Sequence, residues 1–315
     1  MKTAPIDRNK PLHIILAGGS GAMGQSLIGF LPYKEARYTI LSRKRNEQVS
    51  GAKVVYWDGV NPGLWCKELE GADVLINLSG RSVDCRYTEK NMAEIMNSRV
   101  QSTEALGAAV AACKLPPPVW INAGSATIYR HAEDKPMDEE SGEVGKGFSV
   151  DICTHWEEAL AKYPCPHTRK IILRIAMVLG KDHGVLPVLT GLAKKGLGGA
   201  MGSGNQYMSW IHEKDFAGVV AACIQHKDWK GAFNCTAPVP CTNREFMALV
   251  RKAAGAPFSF RTPGWMLGIG AFFLRTETEL VLKSRWVVPG RLLKNGFVFK
   301  FNTASEAIAD LTHTR

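Results

Sequence analysis

Short apolar runs recur along the chain: Ile14-Ile15-Leu16-Ala17, Tyr38-Thr39-Ile40-Leu41, Lys53-Val54-Val55-Tyr56-Trp57, Asp73 to Leu78, Val119 to Ala123 and Lys170 to Ile175. Their β-branched and aromatic content marks strands, and their near-continuous apolar character marks strands buried on both faces of a sheet. The intervening segments carry helical spacing. Gln25 to Leu31 follows the first run, and Thr88 to Cys113 sets Met92, Ile95, Met96, Val100, Leu106 and Val110 near one side before stopping at prolines 116 to 118. Ile152 to Leu160 precedes the sixth run. Strands alternating with helices predict an α/β fold with a doubly wound parallel sheet, whose ligands collect at the carboxyl ends of the strands.

The first strand end carries the most informative turn. Glycines at 18, 21 and 24 interrupt the chain between the first strand and the first helix. Such a turn lets the backbone approach a pyrophosphate, whose charge sits against unpaired N–H groups at the positive helix end. Gly18, Ser20, Gly21, Ala22, Met23 and Gly24 are therefore candidate cofactor-binding residues. After the second strand, where Rossmann folds often place an acid for the adenosine ribose, this chain reads Ser42-Arg43-Lys44-Arg45. A basic cluster there pairs with a 2′-phosphate, so the expected cofactor is NADP(H), with Ser42 and Arg43 as its contacts. Asp58, at the third strand end, either meets the adenine or closes the turn before Gly59. Leu78, Ser79 and Gly80 end the fourth strand in small residues that let the backbone pass beneath a cofactor.

Composition narrows the function classes. At 315 residues and 45% hydrophobic content the chain can bury a large core. Its net charge of +10 is spread along the sequence without a nucleic-acid-binding motif. That favours a small anionic ligand over nucleic acid. The eight cysteines form no CxxC pair or metal spacing and read as reduced thiols of a cytoplasmic protein. The opening MKTAPIDRNKP lacks the apolar region of a signal peptide, and the run from Gly264 to Leu274 falls short of the ~20 residues that span a bilayer. That run is expected to form a buried or lid helix. Beyond Leu179 the sequence turns glycine-rich and irregular. Residues 1–179 are thus the expected dinucleotide-binding domain, rejoined by a helix and strand from about 210–236, and 180–315 an interleaved substrate-covering region. Thr242-Asn243-Arg244-Glu245 reads as a capping box opening a further helix that Gly255 closes, and Asp215 as the N-cap of the helix before it.

Several separated motifs agree on one family: the glycine turn, INLSG at 76–80, SRVQST at 98–103, GSAT at 124–127, LRIAMVLG at 173–180, GSGNQYMSWIHEKD at 202–215, AFNCTAPVPCTNREF at 232–246 and VVPGRLLKNGF at 287–297. Across nearly its whole length the chain resembles the epimerase-family (YfcH-like) proteins, atypical extended short-chain dehydrogenases/reductases. The resemblance implies an NAD(P)-binding Rossmann-like domain, a smaller interleaved C-terminal domain and NADP(H) as cofactor, and leaves the substrate open.

That superfamily uses a serine to hold the substrate oxygen, a tyrosine as general acid/base, and a lysine four residues later that lowers the tyrosine pKa from ~10. Ser125 fills the first role. The segment expected to carry the pair reads Phe148 and Ile152, and neither side chain exchanges a proton. Tyr129 and His212 are the candidate replacement acids, each also readable as a hydrogen-bonded core residue. Arg99 stands where many relatives have asparagine; its fixed positive charge suits a cofactor contact or an anionic substrate group. Asn205 and Gln206 are candidate polar contacts to the substrate. The functions in view are an oxidoreductase or epimerase acting on a carbonyl or hydroxyl compound, nucleotide-sugar-like compounds among the candidates, and a catalytically silent NADP(H)-binding sensor or interaction protein.

Overall fold

The computed structural model describes residues 11–257 and 282–312. The expected helix at 264–274 lies outside the described residues. The strands are β1 (His13–Ala17), β2 (Arg37–Ser42), β3 (Ala52–Tyr56), β4 (Val74–Asn77), β5 (Val119–Ser125), β6 (Arg169–Ile175), β7 (Met177–Leu179), β8 (Tyr207–Met208), β9 (Trp210–His212), β10 (Gly231–Cys235) and β11 (Cys241–Thr242). The helices are α1 (Ala22–Phe30), α2 (Glu89–Ala112), α3 (Phe148–Ala161), α4 (Val185–Lys194), α5 (Glu213–Gln225), α6 (Asn243–Ala253), α7 (Gly290–Lys294) and α8 (Ala304–Thr312).

The central sheet has seven parallel strands in the order β10-β6-β5-β4-β1-β2-β3. Six are the runs read from sequence; β10 is added at the edge. The chain reverses its direction of travel across the sheet at β1, between β2 and β4, and a doubly wound fold takes its ligand at that switch point. Both faces of β1 are dry: Ile14 and Leu16 join one apolar cluster with Phe216 and Val220 of α5, while Ile15 and Ala17 join another with Leu106 and Val110 of α2. This two-sided burial is why the strand sequences run apolar without alternating.

The switch point is pinned by buried polar side chains. Asn77 donates to Thr103 Oγ1 (3.0 Å) and Asn122 Oδ1 (2.8 Å), and Trp156 Nε1 donates to the same Thr103 (3.0 Å). The bonds tie the ends of β4 and β5 to α2 and α3, holding the floor of the ligand cleft rigid. A separate apolar cluster joins α4, α6 and α8 through Leu189, Phe246, Val250 and Ile308. The loop at 130–146 clasps the C-terminal segment, with a bridge from Met137 to Val287.

Thr242 and Glu245 close the expected capping box on α6, and Gly255 follows its end at φ +65°. The N-cap of α5 is His212, whose Nδ1 accepts from Lys214 N (3.0 Å). Asp215 instead accepts from the N–H groups of Lys300 (2.8 Å) and Phe301 (3.0 Å), anchoring the approach to α8. All eight cysteines are free thiols. Among the described residues no helix is long and apolar enough to cross a membrane.

Candidate functional site

The glycine turn is built for close approach. Gly18 adopts φ +72°, and a Cβ there would lie 2.9 Å from Ser79 Cα, so β1 and β4 ends meet only without a side chain. A Cβ on Gly24 would fall 2.1 Å from Gly19 O, so the helix could not seat on the turn. Gly21 differs: a Cβ there would meet nothing closer than Gly18 O at 3.7 Å. Protein packing leaves that space open above the N-terminus of α1, where Gly21 is the N-cap and no side chain caps the first turn. Uncapped N–H groups facing an open cradle suit a pyrophosphate.

A cleft of about 730 Å³ runs along these strand ends, lined by Gly18, Ser20, Gly21, Ser42, Arg43, Lys44, Asp58, Leu78, Ser79 and Gly80 among others. The Ser79 hydroxyl is buried without a hydrogen-bond partner. An orphaned hydroxyl in a cleft wall fits a ligand that supplies the missing partner. Asp58 lines the cleft, but its Oδ1 accepts from Val60 N (2.9 Å) and Asn61 N (2.8 Å) and its Oδ2 from Asn61 Nδ2 (2.8 Å). Its carboxylate thus builds the turn. Arg43 is exposed at the cleft edge, while Ser42 is turned inward and donates to Glu47.

A second cavity of about 280 Å³ adjoins the first helix through Met23 and holds Ser125, Arg99, Tyr87, Cys153 and Trp156. Ser125 ends β5, and its Oγ accepts from Thr127 N (3.2 Å). Arg99 joins cleft and cavity. Its guanidinium carbon would stand 3.1 Å from a Cβ on Gly80, it lies 5.2 Å from the Trp156 ring, and its Nη1 donates to Ile95 O (3.0 Å). Burial lowers its pKa, and Cys153 and Tyr87 are the groups that face it. Among the described residues no carboxylate pairs with it.

Phe148 and Ile152 occupy the first turn and a half of α3 as the sequence requires, Ile152 buried at the cavity wall and Phe148 packed edge-on to Tyr87 with ring centroids 5.1 Å apart. The cavity is therefore without the tyrosine–lysine pair at those positions. Its Cys153 thiol is pushed up to about 11 by burial and stays protonated near neutrality. Tyr87, the tyrosine that does line the cavity, escaped the sequence reading because it comes from the loop before α2.

The structure does not bring Tyr129 or His212 to Ser125's cavity. Tyr129 is 2% exposed; its hydroxyl donates to Asn234 Oδ1 (2.9 Å) and accepts from Arg174 Nη1 (2.8 Å), and Arg174 is held by Glu157 at 2.8 and 2.9 Å. Burial raises the pKa of its phenol while Arg174 opposes the shift. His212 is fully buried, stacked on Phe301 with centroids 3.9 Å apart, its Nε2 3.2 Å from Asp310 Oδ2. Burial pushes its imidazole down to about 4. Gln206 is likewise buried, donating to Met201 O (2.9 Å), and Asn205 accepts from Arg244 (3.1 Å). Among the described residues no group of three or more histidine, cysteine or acidic side chains is placed to hold a metal.

Similar proteins match nearly the whole chain. The epimerase family protein SDR39U1 of Bos taurus is 29% identical over 95% of this chain and 99% of its own length, and an epimerase family protein of Staphylococcus saprophyticus is 30% identical over 96% and 99%. The crystal structure of human SDR39U1 isoform 2 with NADPH superposes with a TM-score of 0.83 at 27% identity, covering 96% of this chain and 99% of that one. Residues 262–311 match a domain of unknown function, DUF1731. Residues 14–236, which carry the glycine turn, the seven-stranded sheet and Ser125, match the NAD dependent epimerase/dehydratase family, and the chain belongs to that family.

Proposed function

We propose that this chain is an NADP(H)-binding oxidoreductase- or epimerase-like protein acting, in the cavity at Ser125, on a small carbonyl or hydroxyl compound that carries an anionic group. The observation behind this reading is Arg99: one guanidinium stands against Gly80 of the cofactor cleft and also lines the cavity of Ser125. A partly desolvated cation without a carboxylate is stabilised by an anionic ligand. Gly18, Ser20, Gly21 and the first turn of α1, Ala22 to Gly24, would hold the pyrophosphate, with Leu78 to Gly80 beneath it and Ser42 and Arg43 at a 2′-phosphate. The human relative crystallised with NADPH supports that assignment. Bound NADP(H) supplies or accepts a hydride. Ser125 holds the substrate oxygen and Arg99 its charged group. Residues 1–179 with 210–236 form the cofactor half in this account, and the rest of 180–315 covers the substrate. Tyr129 and His212, enclosed in their own contacts, position the scaffold.

The test is NADPH oxidation over a panel of carbonyl compounds with and without carboxylate or phosphate groups. Turnover should favour the anionic members, fall at least about a hundredfold in Ser125→Ala, and lose its preference for charge in Arg99→Met. No turnover anywhere in the panel, with NADPH bound, would move the account to a second reading, a catalytically silent NADP(H)-binding protein. The apolar Phe148 and Ile152 at the acid–base positions favour that alternative.

A further inference from the structure

Behind the part of the cleft wall made by Ser42 and Lys44 stands an acid that the basic run 42–45 conceals. Beyond β2 the chain turns outward at 43–46 and folds back, so that the Glu47 carboxylate accepts from the Ser42 hydroxyl and from Lys44 Nζ (3.2 Å). Lys44 N in turn donates to Ser42 Oγ (3.2 Å), closing a small ring of donors and acceptors. The Glu47 side chain is 15% exposed although its partner lysine is 79% exposed. Its pKa is lowered by these contacts, the Ser42 bond first, with the Ser20 hydroxyl of the glycine turn also contributing. Ser20, Ser42 and Lys44 all line the cleft, beside Arg43.

Hydroxyls and an ammonium converging on one carboxylate make an anion subsite, here satisfied from within the chain. A 2′-phosphate needs the same donors, and two anions cannot share them without repulsion. A ribose that keeps its 2′-hydroxyl has no such conflict, because a hydroxyl donates to a carboxylate. We infer that Glu47 is an internal competitor for the 2′-phosphate subsite of Ser42 and Lys44, and that it sets the discrimination between NADP(H) and NAD(H). The inference rests on the cofactor cleft proposed above. In this arrangement NADP(H) enters by displacing Glu47 from Ser42 and Lys44, and NAD(H) enters with Glu47 in place. The chain is therefore less selective for the 2′-phosphate than its basic run alone would make it.

Titration calorimetry of the purified protein with NADPH and NADH measures this without any substrate. Glu47→Gln keeps the shape and removes the charge, and should raise the ratio of NADPH to NADH affinity about tenfold, chiefly by tightening NADPH. Lys44→Met should lower that ratio, and adenosine 2′,5′-bisphosphate should follow NADPH in both variants because it carries the adenosine end alone. Both nucleotides binding with an unchanged ratio in Glu47→Gln, or NADPH binding weakened by it, would overturn the inference and leave the cofactor cleft standing. Failure of the unaltered protein to bind either nucleotide would overturn both. Thermal melting of Glu47→Gln, expected within a degree or two of the unaltered protein, separates a local effect from unfolding.

Discussion

Two places along the carboxyl edge of one parallel sheet, the β1 turn and the start of α3 beside β5, make opposite uses of the sequence. At β1 the site is backbone: Gly18, Gly21 and Gly24 matter for the Cβ atoms they lack, which leaves the first N–H groups of α1 open to a ligand. At α3 the site is side chains, and the ones the superfamily relies on are replaced by Phe148 and Ile152 while Arg99 and Tyr87 arrive from α2 and the loop before it. Backbone recognition is local in sequence and leaves a spacing that can be read. Side-chain chemistry is assembled across the fold, and a missing residue says nothing of what has come to stand near it.

The largest expected effect breaks the β1 end. Gly24→Ala places a Cβ 2.1 Å from Gly19 O, backbone that cannot move aside. Overpacking of this kind costs ~1–3 kcal/mol, so thermal melting should drop by several degrees and NADPH binding should be lost with the turn. A melting temperature unchanged from the parent would show that helix and turn are not in contact.

The next effects concern the two residues whose chemistry the fold has taken into its scaffold. His212 is neutral in the folded chain because burial holds its imidazole near 4, whereas the unfolded chain titrates near 6.5. Between those values the unfolded state binds a proton that the native state does not, so stability is complete above pH 6.5 and declines as pH falls towards 4. His212→Asn retains an N-cap acceptor, and its stability should fall less than the parent's between pH 6.5 and 4.5 in denaturant melts. An identical pH dependence would place the imidazole in water. Tyr129→Phe strips a partner from both Asn234 and Arg174, at a cost of about 1–2 kcal/mol, and should leave NADPH affinity unchanged. Loss of NADPH binding without loss of stability would instead bring Tyr129 into the site.

The six apolar runs, the glycine turn and the capping box Thr242–Glu245 were all legible because each depends on residues close in sequence. Asp215 was misread as a cap for the opposite reason. An acid near a helix start suggests a local role, but Lys300 and Phe301 recruit it from the far end of the chain and leave the cap to His212. Glu47 was hidden by its neighbours: four residues of Ser42-Arg43-Lys44-Arg45 announce a phosphate, and the fold-back that puts a carboxylate among them has no spacing signature. The 280 Å³ cavity was legible at Ser125, Arg99 and Ile152 but not at Tyr87, which reaches it from the loop before α2 with no spacing to mark it.

Whether the open cradle above Gly21 holds a nucleotide is tested most directly by Gly21→Ala. The new methyl group meets no protein atom closer than 3.7 Å, so the variant should melt with the parent. NADPH titration followed by nicotinamide fluorescence should give saturable binding to the parent, weakened roughly tenfold or more in the variant, about 1.4 kcal/mol. Equal affinity in the two proteins, or no saturable binding to the parent, would contradict nucleotide binding in the cradle.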